Sequence, residues 1–346
     1  MNLQEKAFEN CKNILIHNYK ISKENKTIIF YDENTLLSKL LLEGYSKALD
    51  FLKFDFESYN FHAIPVEKVL EITSKLKEKD LVILIQSNSF RVSSYRWRNI
   101  LHEAGLKVIE HAHMEKNEED ETETYINSLT YDLPYYLEVS KYLKEKLNNS
   151  KSLKIISNSG KVLEFSGPFD EVFENLAYFD DKKNWGSRFP VGEVLTESLD
   201  LSTLNGEFEI YAFPDNRQYT HIVKPFSCVA KNGFLISHDG PKEFEEVFQM
   251  IKAENEEGVV YIRELGLGLN RYIKKNTRLG DVSSYERLEG VHFSLGMKHG
   301  IYDKKLWPKY GKKFYQRYHV DIFLDVKEIL INDEKIYDEK SGYIMN

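Results

Sequence analysis

The sequence predicts an α/β fold, with an N-terminal doubly wound α/β domain and a C-terminal α+β domain that is rich in antiparallel strands. In the first 151 residues, short apolar segments alternate with amphipathic helical segments, which is typical of parallel βαβ units. From residue 152 onward the segments are shorter and strand-like, and Gly and Asn mark the turns between them. We therefore expect two domains, over residues 1–151 and 152–346.

The first domain should contain a small parallel sheet flanked by helices. The segment 80–86 is almost continuously apolar, as in strands whose two faces are both buried. Asn34 and Thr35 can cap the helix that follows the first strand. The patterns predict strands over 27–31, 61–66, 80–86 and 106–109, and helices over 36–54, 67–77, 97–104 and 133–151.

This sheet lacks the sequence features of a nucleotide site. Dinucleotide-binding folds use a Gly-rich first turn, but here that turn reads Tyr31-Asp32-Glu33-Asn34 and contains no glycine. The chain also has no GxxxxGK[ST] sequence. We therefore interpret the first domain as a scaffold or a partner surface.

Composition excludes several classes of partner. The 346 residues include 47 basic and 55 acidic side chains, and a net charge of -8 repels phosphate backbones, so we expect no nucleic acid partner. Cys11 and Cys228 are too few for a disulfide scaffold or a cysteine zinc site. No segment approaches the ~18 apolar residues of a membrane span, and the first residues do not resemble a signal peptide. These features predict a cytoplasmic protein without a membrane partner.

Metal-capable side chains recur in four segments of the second domain. Glu193 follows a Pro-Val-Gly sequence, Glu264 precedes a Gly-x-Gly sequence, and His292 lies in Gly-Val-His-Phe-Ser-Leu-Gly. His319 and Asp321 are one residue apart on an apolar, strand-like segment, so their side chains point to the same face.

Each of these residues alone has an ordinary explanation. A His-x-Asp pair is usually hydrogen-bonded within the protein, and a lone glutamate is more often exposed or ion-paired. Together, however, three carboxylates and two imidazoles suit two divalent ions ~3.5–4 Å apart, as in hydrolases. The imidazoles favour zinc, cobalt, manganese or iron over calcium or magnesium.

The four segments, in this order and near these spacings, resemble the thermophilic metallo-aminopeptidases of the aminopeptidase T family. In that family, Glu-Val, Glu-Leu, Gly-x-His-x-x-Leu-Gly and His-x-Asp segments each donate metal ligands. The likeness covers the C-terminal half, including 155–165, and extends to the N-terminal half only in general architecture. It implies that the second domain is a metal-binding catalytic domain, with Glu264 as the bridge between the ions. The implied ligands are Glu193, Glu264, His292, His319 and Asp321.

Two features depart from a simple assignment to that family. The family has a catalytic tyrosine seven residues after the first metal histidine, where this chain has His299, and Tyr302 is a second possible substitute. The Pro-Val-Gly-Glu-Val sequence is also similar to a related branch that includes dihydroxypyridine ring-cleaving dioxygenases. Those enzymes use one iron held by two histidines and one aspartate.

The resemblance implies a homodimeric metallo-aminopeptidase with two divalent ions of zinc, cobalt or manganese. This hydrolase would cleave the N-terminal peptide bond of short peptides through a metal-bridged water. Glu193 or Glu264 would move the proton, and His299 would assist. Two alternatives stay open: a mononuclear non-haem iron dioxygenase on the same scaffold, and a binding protein that keeps the fold without catalysis.

Overall fold

The computed structural model describes residues 1–93, 95–179, 185–299 and 317–345. The chain forms two compact units, each assembled from three segments of sequence. Unit 1 consists of Met1–Asp132, Asn175–Val191 and Leu279–Ser284, and unit 2 consists of Leu133–Glu174, Gly192–Arg278 and Tyr285–Asn346.

This interleaving differs from two continuous domains that meet between residues 151 and 152. Local sequence patterns cannot show that a distant segment returns to an earlier sheet. The helix that begins at Leu133, which we grouped with the first domain, belongs to unit 2.

Helices occur in both units. Among the described residues, the α-helices are α1 (Leu3–Asn13), α2 (Leu36–Leu52), α3 (Val66–Ser74), α4 (Trp97–Glu103), α5 (Thr122–Ser128), α6 (Leu133–Asn148), α7 (Lys242–Lys252) and α8 (Val282–Tyr285). A π-helical turn (Ile14–Asn18) continues α1, and 3₁₀ turns cover Met114–Lys116, Glu119–Glu121 and Leu201–Thr203.

The strands of the described residues fall into three sheets. They are β1 (Thr27–Tyr31), β2 (Phe56–Asn60), β3 (Leu81–Ile85), β4 (Arg91–Val92), β5 (Tyr95–Arg96), β6 (Lys107–His111), β7 (Ser152–Ser157), β8 (Val162–Ser166), β9 (Phe173–Asn175), β10 (Gly186–Arg188), β11 (Glu193–Thr196), β12 (Asn205–Pro214), β13 (Thr220–Lys231), β14 (Phe234–His238), β15 (Ile262–Gly268), β16 (Gly290–Gly296), β17 (His319–Leu324), β18 (Val326–Ile331), β19 (Glu334–Asp338) and β20 (Gly342–Tyr343).

Unit 1 contains a five-stranded parallel sheet in the order β10-β6-β3-β1-β2. The middle strand β3 is buried along its whole length, as its continuous apolar sequence predicts. Thr35 caps α2 by accepting a hydrogen bond from the amide of Ser38 at 3.0 Å. The predicted α/β class is therefore confirmed.

One predicted strand of unit 1 is wrong. The apolar segment 61–66 is not extended, and the strand is instead β2, immediately before it. This strand is at the edge of the sheet and is largely exposed, so its sequence FESYN lacks an apolar run. The apolar signal comes from Phe61, which stacks on the ring of Phe90 with centroids 4.2 Å apart in the core beside the sheet.

A buried histidine links the strands of unit 1 to its helices. The imidazole Nε2 of His111 lies 2.8 Å from the hydroxyl of Tyr45, and its Nδ1 lies 3.0 Å from the hydroxyl of Tyr125. Tyr125 in turn donates to the carbonyl of Phe189 at 2.9 Å. Burial lowers the pKa of His111 to about 3, because no water can solvate the charged ring.

Unit 2 is built on a curled sheet of mainly antiparallel strands. Its central path runs β20-β19-β18-β7-β8-β12-β17-β16-β15-β11-β9, and β13 and β14 extend from β12. The strands β11, β15 and β16 are buried along their whole length. The predicted change to short antiparallel strands is thus observed, with the buried strands side by side. No described helix combines the length and the apolar character that a membrane span requires.

We predict that His111 makes the protein sensitive to acid. The unfolded chain binds a proton at His111 below about pH 6.5, whereas the folded protein does so only near pH 3. The free energy of unfolding should therefore fall as the pH drops through this window, by up to about 1.4 kcal/mol per pH unit from this residue.

Urea unfolding at a series of pH values measures this slope. We expect His111→Gln to reduce the slope between pH 6.5 and 4, whereas His62→Gln, which changes an exposed histidine, should not. Equal slopes in the wild type and in both variants would contradict the prediction.

Candidate metal centre

Four neighbouring strands of unit 2 carry the metal-capable residues that the sequence predicts. They lie in the order β17-β16-β15-β11. Glu193 begins β11 and Glu264 lies within β15. His292 lies within β16, and β17 carries His319 and Asp321. Residues from four distant segments of sequence therefore meet on one sheet.

The strand register places these side chains on one face. His292 pairs with Gly266 across β16 and β15, and Glu193 pairs with Gly268 across β11 and β15. On β17, Asp321 pairs with Ser294, two residues along β16 from His292. Because the side chains of paired residues share a face and alternate along each strand, these ligands converge.

The Gly-x-Gly sequence forms the end of strand β15. Gly266 lies under the imidazole of His292, and a Cβ atom at position 266 would overlap that ring. The glycine therefore serves a close approach of side chain to backbone rather than a phosphate-binding loop.

Neighbouring ligand atoms of this cluster lie close to one another. The Nε2 atom of His292 is 3.2 Å from Oε1 of Glu193 and 3.6 Å from Oε1 of Glu264. The Nε2 atom of His319 is 3.2 Å from Oδ1 of Asp321 and 4.0 Å from Oε2 of Glu264. One ligand atom each from Glu264, His292 and Asp321 lie within 4.8 Å of one another. The structure thus brings together all five predicted ligands.

Three buried atoms of this cluster make no hydrogen bond of acceptable geometry among the described residues: Nε2 of His292, Oε2 of Glu264 and Oδ1 of Asp321. A buried polar atom without a partner is costly, so such atoms point to a ligand. A borderline-soft divalent ion suits this mixture of imidazole nitrogens and carboxylate oxygens. The residues therefore fit a divalent metal.

The neighbouring carboxylates favour the charged form of His319. Burial disfavours the charged ring of His319, but the adjacent Asp321, together with Glu264, outweighs this effect and raises the pKa of His319 to about 10. Burial also opposes the charge of Asp321, yet His319 holds the pKa of its carboxyl below the usual range. The other ring nitrogen of His319 is 3.1 Å from the carbonyl of Met297, which fixes the ring orientation.

His299, which we predicted to assist catalysis, lies next to this cluster. Its ring centroid is 5.3 Å from that of His319. Burial is the main cause that lowers the pKa of His299, which therefore favours a neutral ring near pH 7. Tyr302, the other suggested substitute, lies outside the described residues.

Sequence reasoning missed two residues of the site, Glu286 and Arg287. One atom each from Glu193, Glu286 and His292 form a second group within 4.8 Å. Arg287 forms an ion pair with Glu193 through Nη1, and its Nη2 lies 2.6 Å from Oε1 of Glu286. Neither residue is part of a strand pattern or a recognisable motif, so only spatial proximity identifies them.

A buried ion-pair network adjoins the strands of the centre. Nη1 of Arg263 lies 3.0 Å from Glu197, and its Nε donates to the carbonyl of Gly296 at 3.1 Å. Lys298 lies 2.9 Å from Asp170 and 3.8 Å from Glu197. Because Gly296 pairs with His319 and Lys298 precedes His299, the network holds the end of β16 beside the site.

The comparisons with known proteins agree with this architecture. No family model and no curated protein matches the chain. The solved structure of 2,5-dihydroxypyridine dioxygenase from Pseudomonas putida KT2440 matches with a TM-score of 0.62 and 14% identity, over 96% of this chain and 95% of that chain. The structure of wild-type AmpT from Thermus thermophilus matches with a TM-score of 0.63 and 11% identity, over 99% and 100%. The fold is therefore similar to that of both branches that the motifs resemble.

We predict that Gly266→Ala weakens metal binding. The backbone at Gly266 does not need a glycine for its dihedral angles, but the added methyl group would displace the His292 ring. The affinity for Zn²⁺, measured by competition with a chromogenic chelator, should fall ~10–100-fold, as when the support of a ligand is removed.

Gly290→Ala is the matched control for this substitution. Gly290 begins the same strand as His292, and a methyl group there would meet Leu288 at an ordinary 3.8 Å. An equal loss of Zn²⁺ affinity in the two variants, or no loss in Gly266→Ala, would contradict the predicted contact.

We also predict that Glu197→Gln destabilises unit 2. The substitution removes the charge that faces the buried guanidinium of Arg263, so the free energy of unfolding should fall by about 2 kcal/mol. Urea unfolding measures the change. Glu246→Gln, which alters an exposed pair with Lys242, should leave stability unchanged. A Glu197 variant as stable as the Glu246 variant would contradict this prediction.

Proposed function

We propose that the protein is a metal-dependent aminopeptidase that hydrolyses the N-terminal peptide bond of short peptides. The observation that carries the proposal is the convergence of Glu264, His292 and Asp321, each with a buried side-chain atom that lacks a hydrogen bond within the described residues. The resemblance of the motifs to the aminopeptidase T family and the fold shared with AmpT support the same reaction class. Zinc, cobalt or manganese, as two ions per chain, is the proposed cofactor.

Each side chain of the site has a separate role in the proposed reaction. Divalent ions, when bound, lower the pKa of water and polarise a carbonyl oxygen. Glu193 or Glu264 moves the proton from the attacking water to the leaving amine. The carboxylates would also attract the protonated α-amino group of a peptide, so we expect a preference for free N-termini. His299, kept neutral by burial, can donate a hydrogen bond to the oxyanion that develops at the scissile carbonyl.

Metal analysis combined with peptide hydrolysis tests the proposal. We expect about two zinc, cobalt or manganese ions per chain and release of N-terminal amino acids from a panel of short peptides. A chelator should abolish release, and added metal should restore it. An N-acetylated panel is the control, because it lacks the amino group that the carboxylates would bind. Cleavage that survives chelation, or no cleavage of any peptide by the metal-loaded protein, would reject the proposal.

We predict that His299→Phe lowers kcat by ~10²–10³ at unchanged metal content, because it removes one donor to the oxyanion. His299→Gln keeps a donor and should retain more activity. Steady-state release of amino acids measures both variants, and metal analysis excludes loss of the ions. Full activity of the Phe variant would assign His299 a role outside catalysis.

A mononuclear iron dioxygenase is the second candidate, because His292, His319 and Asp321 provide two histidines and one carboxylate. The fold shared with the Pseudomonas dioxygenase supports it. Glu193 and Glu264 argue against it, since they would leave a single Fe(II) site with a net negative charge. One iron per chain, together with oxygen consumption on an aromatic diol, would favour this candidate over hydrolysis.

We further propose that the protein is a homodimer, as the resemblance implies, and that it acts in the cytoplasm, as its sequence features predict. Sedimentation of the purified protein tests the dimer, and a monomer at micromolar concentration would contradict it.

A further inference from the structure

The two groups of ligand atoms share one residue. His292 belongs both to the group with Glu264 and Asp321 and to the group with Glu193 and Glu286. Its side chain is only 2% exposed, and Nε2 has no hydrogen bond within the described part of the chain. One ring nitrogen binds one ion, so the two positions cannot both use His292. They must differ in ligand set and therefore in affinity.

The two positions also differ in their neighbouring charge. Arg287 spans Glu193 and Glu286 with its two terminal nitrogens, and only 8% of its side chain is exposed. No lysine or arginine of the described ranges forms an ion pair with Glu264 or Asp321. The guanidinium of Arg287 therefore already neutralises Glu193 and Glu286, whereas Glu264 and Asp321 have His319 as their neighbouring cation.

The planar guanidinium of Arg287 suits the position between Glu193 and Glu286. Two neighbouring carboxylates under a sheet repel each other and require a cation, and a guanidinium can bind both at once. A divalent ion at Glu193 and Glu286 would take over the same oxygens. Its charge and that of Arg287 would repel each other, so the ion must displace the guanidinium.

We propose that Arg287 competes with the second metal ion for Glu193 and Glu286, so that two ions load one after the other. This inference rests on the metal centre of the proposed function, but not on the reaction. The first ion binds Glu264 and Asp321 with His292 or His319, where no guanidinium competes. The second ion binds at Glu193 and Glu286 after Arg287 leaves them. Arg287 thus sets the metal concentration at which the second position fills.

Titration of the metal-free, full-length protein with Co²⁺ tests the competition. Visible absorption and calorimetry report each binding step without any peptide. The wild type should bind two Co²⁺ ions, the second at least ~10-fold more weakly than the first. Arg287→Met should tighten the second step by ~10-fold or more and change the first step by less than ~3-fold, because one opposing charge is removed from one position.

Two further variants keep the test decisive if Arg287→Met does not fold. Arg287→Lys retains the charge and should retain the weak second step. Glu286→Gln removes a ligand of the second position and should weaken the second step alone. Arg271→Met, which changes an exposed arginine stacked on Tyr135, should affect neither step.

Several results would overturn the inference. They are equal affinities of two ions in the wild type, an Arg287→Met titration identical to that of the wild type, or a Glu286→Gln variant that weakens both steps or neither. Failure of the proposed function is a separate outcome, because a protein with stepwise Co²⁺ binding but no peptide hydrolysis would keep the inference and lose the aminopeptidase. A wild type that binds no Co²⁺ would reject both.

Discussion

The structure of unit 2 depends on the neutralisation of carboxylates that are held together away from water. Glu193, Glu264, Glu286 and Asp321 meet around His292, and isolated buried charges of one sign would unfold the sheet. The counter-charge is distributed unevenly: Arg287 pairs with Glu193, and His319 pairs with Asp321. A metal ion is the cation that fits the remaining unpaired donors. Folding, metal affinity and the proposed chemistry all follow from this balance.

The backbone makes that concentration of charge possible. Antiparallel register sets the spacing of the ligands in steps of two residues, and Gly266 removes the side chain that would otherwise occupy the place of the His292 ring. Rigid strands hold ligands more accurately than loops do, which suits a centre whose donor atoms must match a small ion. The Arg263 network then secures the end of β16, from which the chain continues to His299.

Unit 1 is stabilised mainly by apolar packing. Its parallel sheet is largely apolar and includes a buried polar network at His111, where each ring nitrogen has a tyrosine hydroxyl within hydrogen-bond distance. No glycine in the first turn opens the sheet edge to a phosphate group. The candidate metal ligands of the described residues all lie in unit 2.

The sequence by itself determined the α/β class and most helices and buried strands, and it singled out five candidate ligands, because each leaves a local signal. Apolar periodicity marks β1 and β3, and polar residues stand out in otherwise apolar strands at Glu264 and at His319. Edge strand β2 left no such signal because it is exposed. Only the tertiary structure decided that the chain returns to earlier sheets, that Gly266 lies beneath a ring, and that Arg287 faces Glu193. These features arise from contacts between residues that are far apart in sequence, and local patterns carry no information about such distances.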